Sequence, residues 1–179
     1  MILVCLTPVA IAFLKPYQKS RILTFFNPER DPLGAGYQII QSKIAVGSGG
    51  IFGKGYLNGS KSYLDYLPEK HTDFIFTLFS EEFGFLGSIC LLLIYALIIY
   101  RIFAIGNYAK SNFAKLYCFS FATAFFAYVT VNMSMVLGLL PIVGAPLPII
   151  SYGGSSMLSM MAGLGIVMSC KIYNQEMIN

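Results

Sequence analysis

"LYCFSFATAFFAYVTVNMSMVLGLLPIVGAPLPIISYGGSSMLSMMAGLGIVMSC", residues Leu116 to Cys170, contains no Asp, Glu, Lys, Arg or His. About 20 apolar helical residues span a bilayer core, so this stretch holds two crossings and a connection. The connection, "PIVGAPLPIISYGGSS" from Pro141 to Ser156, is interrupted by Pro141, Pro146, Pro148, Gly153 and Gly154. Prolines this dense exclude a continuous helix. Irregular backbone at membrane depth is tolerated only against protein or a water-filled cavity, although a tight hairpin at the surface fits the spacing equally well. The rest of the chain agrees with a membrane setting. Its 179 residues are 56% hydrophobic and 11% charged, with mean hydropathy +0.69, whereas soluble domains carry about 25% charged residues. The fold class expected is all-α integral membrane, with about four transmembrane helices.

Working outward, the chain divides into a short apolar segment at 1–14 and a long polar loop at 15–72. An apolar helix with an acidic face follows at 73–105, then a short loop at 106–112. A further helix is expected at 113–140, the Pro/Gly-rich, re-entrant turn at 141–154, a last helix at 155–171 and a tail at 172–179. The first segment, "MILVCLTPVAIAFL", is too short to span comfortably and lacks the basic start of a signal peptide. It reads as part of a truncated transmembrane helix. The four cysteines, Cys5, Cys90, Cys118 and Cys170, lie in apolar segments without ligand spacing, which fits buried small apolar side chains better than a disulfide framework. Ser155, Ser159 and Gly163 recur every four residues, the stripe of small residues that lets membrane helices approach closely. The net charge of +4 carries no signal for nucleic acid, and no nucleic-acid partner is expected.

Chain parity places the long loop and the Pro-rich turn on one side of the membrane. The long loop carries eight basic residues, Lys15, Lys19, Arg21, Arg30, Lys43, Lys54, Lys61 and Lys70. Arg101, Lys110, Lys115 and Lys171 occupy the other side. Loops of this length escape the positive-inside rule, so charge alone leaves the orientation open.

Two stretches invite chemistry. "GSGGIFGKGYLNGS" fails as a phosphate loop, because Ser48 stands where the first Gly is required and Gly55 follows Lys54. What remains is a flexible Gly-rich turn presenting Lys54, read first as a structural loop, with anion binding by its backbone N–H groups as the alternative. "YLPEKHTDFIFTLFSEEFGF", Tyr66 to Phe85, is richer. Read as a helix from Asp73, it places Asp73, Thr77, Ser80, Glu81 and Gly84 on one face. Glu81 then lies roughly 12 Å deeper than Asp73. Carboxylates on a membrane helix are costly and point to function, which predicts a water-accessible acidic cleft at the membrane surface. A plainer reading makes Asp73 a helix N-cap or first-turn acid, with Glu81 and Glu82 solvated at the interface. His71, without a second His or Cys partner, is a poor metal site and reads equally as a solvated loop residue.

"LPEKHTDFIFTLFSEEFG" (Leu67 to Gly84), "NPERDPLGAGYQIIQSKIAVGSGGIFGKG" (Asn27 to Gly55) and "GLLPIVGAPLPIISYGGSS" (Gly138 to Ser156) together resemble the SEDS proteins, the shape, elongation, division and sporulation family. "NPERDPLGAGYQIIQSKIA" and the short tail are closer to the rod-shape (RodA) branch than to the division (FtsW) branch. The resemblance covers nearly the whole chain in order. It implies a ten-helix inner-membrane enzyme that polymerises lipid II into peptidoglycan glycan strands, of which this chain supplies the last four crossings. It also implies that the long loop and active site face the periplasm. Implied partners are lipid II, undecaprenyl pyrophosphate, a class B penicillin-binding transpeptidase and other membrane proteins of the elongation complex.

Asp73 matches the Asp of the family's His-Thr-Asp-Phe motif, which the resemblance makes catalytic. A carboxylate there suits removal of the acceptor hydroxyl proton. The competing role is as ligand of a divalent cation, magnesium or manganese. Lys43, Lys54 and Lys70 are candidates to neutralise the pyrophosphate leaving group. Glu69, His71 and Lys54 are expected to position the loop or substrate, with Asp65 acting conformationally. Glu81 and the Tyr152-Gly153-Gly154 turn are expected to line the cavity near the lipid carrier. Two further readings stand beside the polymerase: transport of a lipid-linked precursor, and a non-catalytic remnant that binds the elongation machinery.

Overall fold

The computed structural model describes residues 15–27, 34–56, 58 and 72–173. The apolar segment at 1–14 and the tail beyond Tyr173 lie outside the described residues. Five helices are described: α1 (Pro16–Phe26), α2 (Ala35–Ser48), α3 (Ile75–Tyr108), α4 (Asn112–Val136) and α5 (Gly154–Ile172). Three of them, α3, α4 and α5, are long and apolar enough to cross a membrane. The described architecture is all-helical and membrane-spanning in character, with three candidate spans where the sequence suggested about four crossings. The stretch read only as a loop carries α1 and α2. Those helices were missed because neither has the length or uniform apolarity of a span.

The 34 residues of α3 extend about 50 Å at 1.5 Å per residue, well beyond a hydrocarbon core of about 30 Å. The helix is not straight, however, but kinked. Gly84 adopts φ 67° and ψ −160° inside the helix, a left-handed φ that favours glycine. A kink of this kind strands main-chain groups of the adjoining turns, and buried groups of that type must find partners. The Gly-rich turn after α2 supplies them. Lys54 N–H donates to Glu81 O at 3.1 Å and Gly55 N–H to Glu82 O at 3.0 Å. Phe85 N–H donates to Gly50 O at 2.9 Å and Leu86 N–H to Ile51 O at 3.1 Å. A Cβ on Gly53 would overlap the Glu82 carbonyl, and one on Gly84 would overlap the Gly53 nitrogen. Glycine is therefore required on both sides of this seam. The N–H groups of Lys54 and Gly55 are thus occupied by protein carbonyls, which agrees with a structural loop and leaves these two groups closed to an anion.

The main packing surface lies between α3 and α4. Phe74, Tyr95, Phe125, Val129, Met135, Val136 and Leu147 form one buried cluster, and Ile102, Cys118, Ala122 and Val167 form a second towards the other end. Cys118 is buried, Cys170 half-buried and Cys90 exposed, so the expectation of buried cysteines is corrected for Cys90, which lies on an outward face of α3. Gly163 and Val167 are the buried residues of α5. A Cβ on Gly163 would overlap the Phe121 ring, while Ser155 and Ser159 are exposed. The close approach thus rests on one member of the expected small-residue stripe.

Between α4 and α5 the chain runs without helix from Leu137 to Gly153, and its apolar side chains Ile142 and Leu147 are buried. Packing against protein is the condition under which irregular backbone is tolerated at such depth. Ile150 N–H donates to Pro148 O at 2.9 Å around Ile149, whose φ is 72°. Positive φ in a β-branched residue is strained. Its neighbours restrain it: Tyr95 Oη donates to Pro148 O at 2.7 Å, and Ser151 Oγ donates to Thr72 O.

Candidate functional site

Asp73 sits in the turn 72–74 that leads into α3. The helix N-cap is Phe74, whose side chain makes no capping hydrogen bond, so helix starts two residues later than expected and Asp73 stands just ahead of the N-cap position. Buried Phe74 anchors the turn in the main core. From α4, Asn132 Nδ2 donates to the Asp73 carbonyl at 2.8 Å and to the Ala145 carbonyl at 2.6 Å. Next to Ala145, Gly144 has φ 80° and passes so close to Asp73 that a Cβ there would lie 3.3 Å from Asp73 Oδ2. The half-buried carboxylate therefore lies beside the backbone of the Pro-rich turn. The turns before α3 and before α5 meet around one acidic side chain.

The acidic face divides at this point. Thr77, Ser80, Glu81 and Glu82 are all buried. Glu81, only 1% exposed, accepts from Lys54 Nζ at 2.7 Å. The expected water-accessible cleft is thus corrected at Glu81. A buried carboxylate requires a partner, and the same seam that satisfies the kink delivers Lys54 to it. Lys54, 29% exposed in its side chain, joins the Gly-rich turn to α3. Lys43 is exposed, and its terminal carbon crosses Gly138, where a Cβ would overlap it. Arg21 on α1 donates to Ile142 O, and its guanidinium stacks 4.4 Å from the Tyr17 ring centre. Asp65, Glu69, Lys70 and His71 lie outside the described residues.

A cavity of 330 Å³ opens between Tyr128 on α4, Pro146–Ile149 and Ser151 of the turn, and Ser155, Ser156 and Met160 on α5. Gly153 is the N-cap of α5 and Gly154 its first residue. Tyr152 is 82% exposed, and the cavity wall is formed by residues on either side of Tyr152-Gly153-Gly154 rather than by those three. Among the described residues no group of three or more His, Cys, Asp or Glu converges. Magnesium is commonly held by one or two carboxylates plus substrate phosphates, a donor set that Asp73 fits as the single protein carboxylate.

Sequence reasoning missed Asn132, Gly144 and Ser151. A signal for Asn132 exists: it is the only Asn or Gln between Leu116 and Cys170. Gly144 and Ser151 carry no comparable mark.

The "Cell cycle protein" family of FtsW, RodA and SpoVE matches residues 1–176. The chain is 50% identical over 159 residues to the Escherichia coli K12 peptidoglycan glycosyltransferase MrdB, covering 89% of this chain and 43% of that protein. It is 44% identical over 161 residues to the Treponema pallidum peptidoglycan glycosyltransferase RodA, covering 90% and 37%. Among solved structures, a peptidoglycan synthase complex described as coordinating polymerization and crosslinking aligns at TM-score 0.73 and 40% identity, over 97% of this chain and 47% of that one. The Thermus thermophilus rod-shape-determining protein RodA aligns at TM-score 0.58 and 35% identity, over 69% and 38%. The chain thus spans less than half the length of these relatives.

Proposed function

This chain belongs to the FtsW, RodA and SpoVE family of cell-cycle proteins, and on that premise we propose that it supplies the catalytic carboxylate of a peptidoglycan glycosyltransferase. The reaction is polymerisation of lipid II into glycan strands for cell elongation and rod shape. The observation that supports it is the placement of the Asp73 carboxylate at the mouth of α3, beside the Gly144 backbone.

Asp73 accepts the proton of the acceptor sugar hydroxyl as that oxygen attacks the anomeric carbon of the lipid-linked donor. The new glycosidic C–O bond forms as the bond to pyrophosphate breaks, and undecaprenyl pyrophosphate leaves with the bonding pair. General-base assistance of this kind contributes about 10²–10⁴ in rate. Developing negative charge on the leaving group is met by Lys43 and Lys70. Lys54 is already committed to Glu81 and acts on the loop rather than on substrate. In the competing role Asp73 would instead hold a magnesium or manganese ion, which would supply charge neutralisation at the pyrophosphate. The site faces the periplasm, where a class B penicillin-binding transpeptidase and other elongation-complex membrane proteins are the partners.

The test is lipid II polymerisation by the full chain, co-reconstituted with the N-terminal part of the Escherichia coli relative that it does not match and with that relative's transpeptidase. Strands formed with Asp73 and lost with Asp73→Asn support the proposal. Equal product from both removes Asp73 from the chemistry. No product from either, beside an active full-length control, favours a non-catalytic remnant.

A further inference from the structure

Asn132 is fully buried in the part of α4 beyond Lys115, which carries no charge, and a carboxamide there is expensive unless its hydrogen bonds are made. Both atoms facing its side-chain nitrogen are carbonyl oxygens, those of Asp73 and Ala145. Only the NH₂ end can face two acceptors, so the amide orientation follows from its surroundings. Its Oδ1 finds no donor among the described residues. The residue therefore tolerates one unmet acceptor in order to bring two donors to two turns that are distant in sequence.

Few side chains could do this. Ser and Thr offer a single donor, Asp offers none when ionised, and Gln is one methylene longer in a fully packed site. The two carbonyls have a definite relation to the carboxylate. One belongs to Asp73 itself, and the other follows Gly144, whose backbone lies against Asp73 Oδ2. Holding both carbonyls on one nitrogen sets the gap between the carboxylate and the Pro-rich turn.

We propose that Asn132 is the positioning residue for Asp73, clamping the turn before α3 to the turn before α5 so that the carboxylate keeps a fixed place and direction. This rests on the reading of Asp73 as the general base. Asn132 touches no substrate and acts through the main chain of the residue that does.

The experiment uses the co-reconstituted assembly described above, with Asn132→Leu, which removes both donors at similar volume, and Asn132→Ser, which keeps one. Loss of orientation by about an ångström costs on the order of 10²-fold in rate, so Asn132→Leu is expected to lower kcat by about that factor with KM for lipid II unchanged. Asn132→Ser falls between. A second readout needs no catalysis: the rate at which Asp73→Cys reacts with a charged, water-soluble thiol reagent, blanked against the parent chain's own cysteines. Asn132→Leu is expected to raise that rate roughly fivefold, as two hydrogen bonds cease to oppose local opening. Asn132→Ser raises it less. An unchanged kcat, a change confined to KM, or an unchanged labelling rate at position 73 overturns the proposal. If labelling rises while Asp73→Asn alone retains full activity, the clamp stands and the catalytic reading of Asp73 falls.

Discussion

Lys54 Nζ lies 2.7 Å from Glu81 Oε1, bridging the turn after α2 and the helix that begins beside Asp73. The two residues are also joined through the main chain, since Lys54 N–H donates to Glu81 O. Charge pairing and kink repair therefore occur at one place. The Gly-rich turn works as a splint across the kink of α3.

Removing the cation while leaving the acid should be the most damaging change at this pair. Lys54→Met leaves Glu81 buried and takes away the cation 2.7 Å from its carboxylate. The expected loss is about 3 kcal/mol, the low end for a broken buried pair, because Lys54 retains contact with solvent. Glu81→Gln should cost less, and Lys54→Met combined with Glu81→Gln should recover most of the loss. Thermal unfolding in detergent would decide this; a double variant no better than Lys54→Met would show that the charge is not what matters.

Two glycines of neighbouring segments should respond in opposite directions to the same substitution. Gly53→Ala puts a Cβ into the Glu82 carbonyl at a residue with φ 80°, and a loss of roughly 1–3 kcal/mol is expected from backbone strain. Gly47 lies within α2 with nothing near its would-be Cβ, so Gly47→Ala should stabilise by about 0.5–1 kcal/mol. Unfolding temperatures of the two variants, compared side by side, test the seam directly. A Gly53→Ala protein as stable as its parent would rule out the close approach.

Gly144→Ala should lower both activity and stability. Gly144 is exposed, but its φ of 80° strains any side chain there, and its nearness to Asp73 Oδ2 makes an added methyl press on the carboxylate. A loss of about 10-fold to 10²-fold in polymerisation rate is expected from displacement of the reacting group, with a stability loss of roughly 1–3 kcal/mol from backbone strain. Single-turnover rates in the reconstituted assembly would measure it. An unaffected rate would mean that Asp73 works without the Pro-rich turn.

Much of the fold was legible because its signals are local. A helix that faces lipid must be apolar along its length, and α3, α4 and α5 carry that mark residue by residue. The Pro-rich turn was legible for the complementary reason that proline breaks a helix anywhere beyond its first turn. At the site, Asp73 was conspicuous as an acid at the start of an apolar run. Glu81 was equally conspicuous and misread: its helical position is shared with Thr77 and Ser80, yet the sequence of α3 says nothing of Lys54 arriving from a turn 27 residues earlier. The helices α1 and α2 were missed because short helices of mixed polarity have no spacing that separates them from a polar loop.

Composition and local pattern by themselves determined that this chain lives in a membrane, where its long helices run, and that an acid stands at the entrance of one of them. Transfer from water to hydrocarbon acts on each side chain separately, so a linear string is enough to encode it. The tertiary structure alone decided that Gly84 breaks α3 and that Gly50, Ile51, Lys54 and Gly55 repair the break. It alone decided that Asn132 holds Asp73 across 59 residues and that Ser151 holds Thr72 across 79. The bonds at the kink join main-chain groups, and those of Asn132 and Ser151 end on main-chain carbonyls, which every residue possesses. Which carbonyl a donor meets is set by the packing of helices in space, not by the identity of the residue that carries the carbonyl.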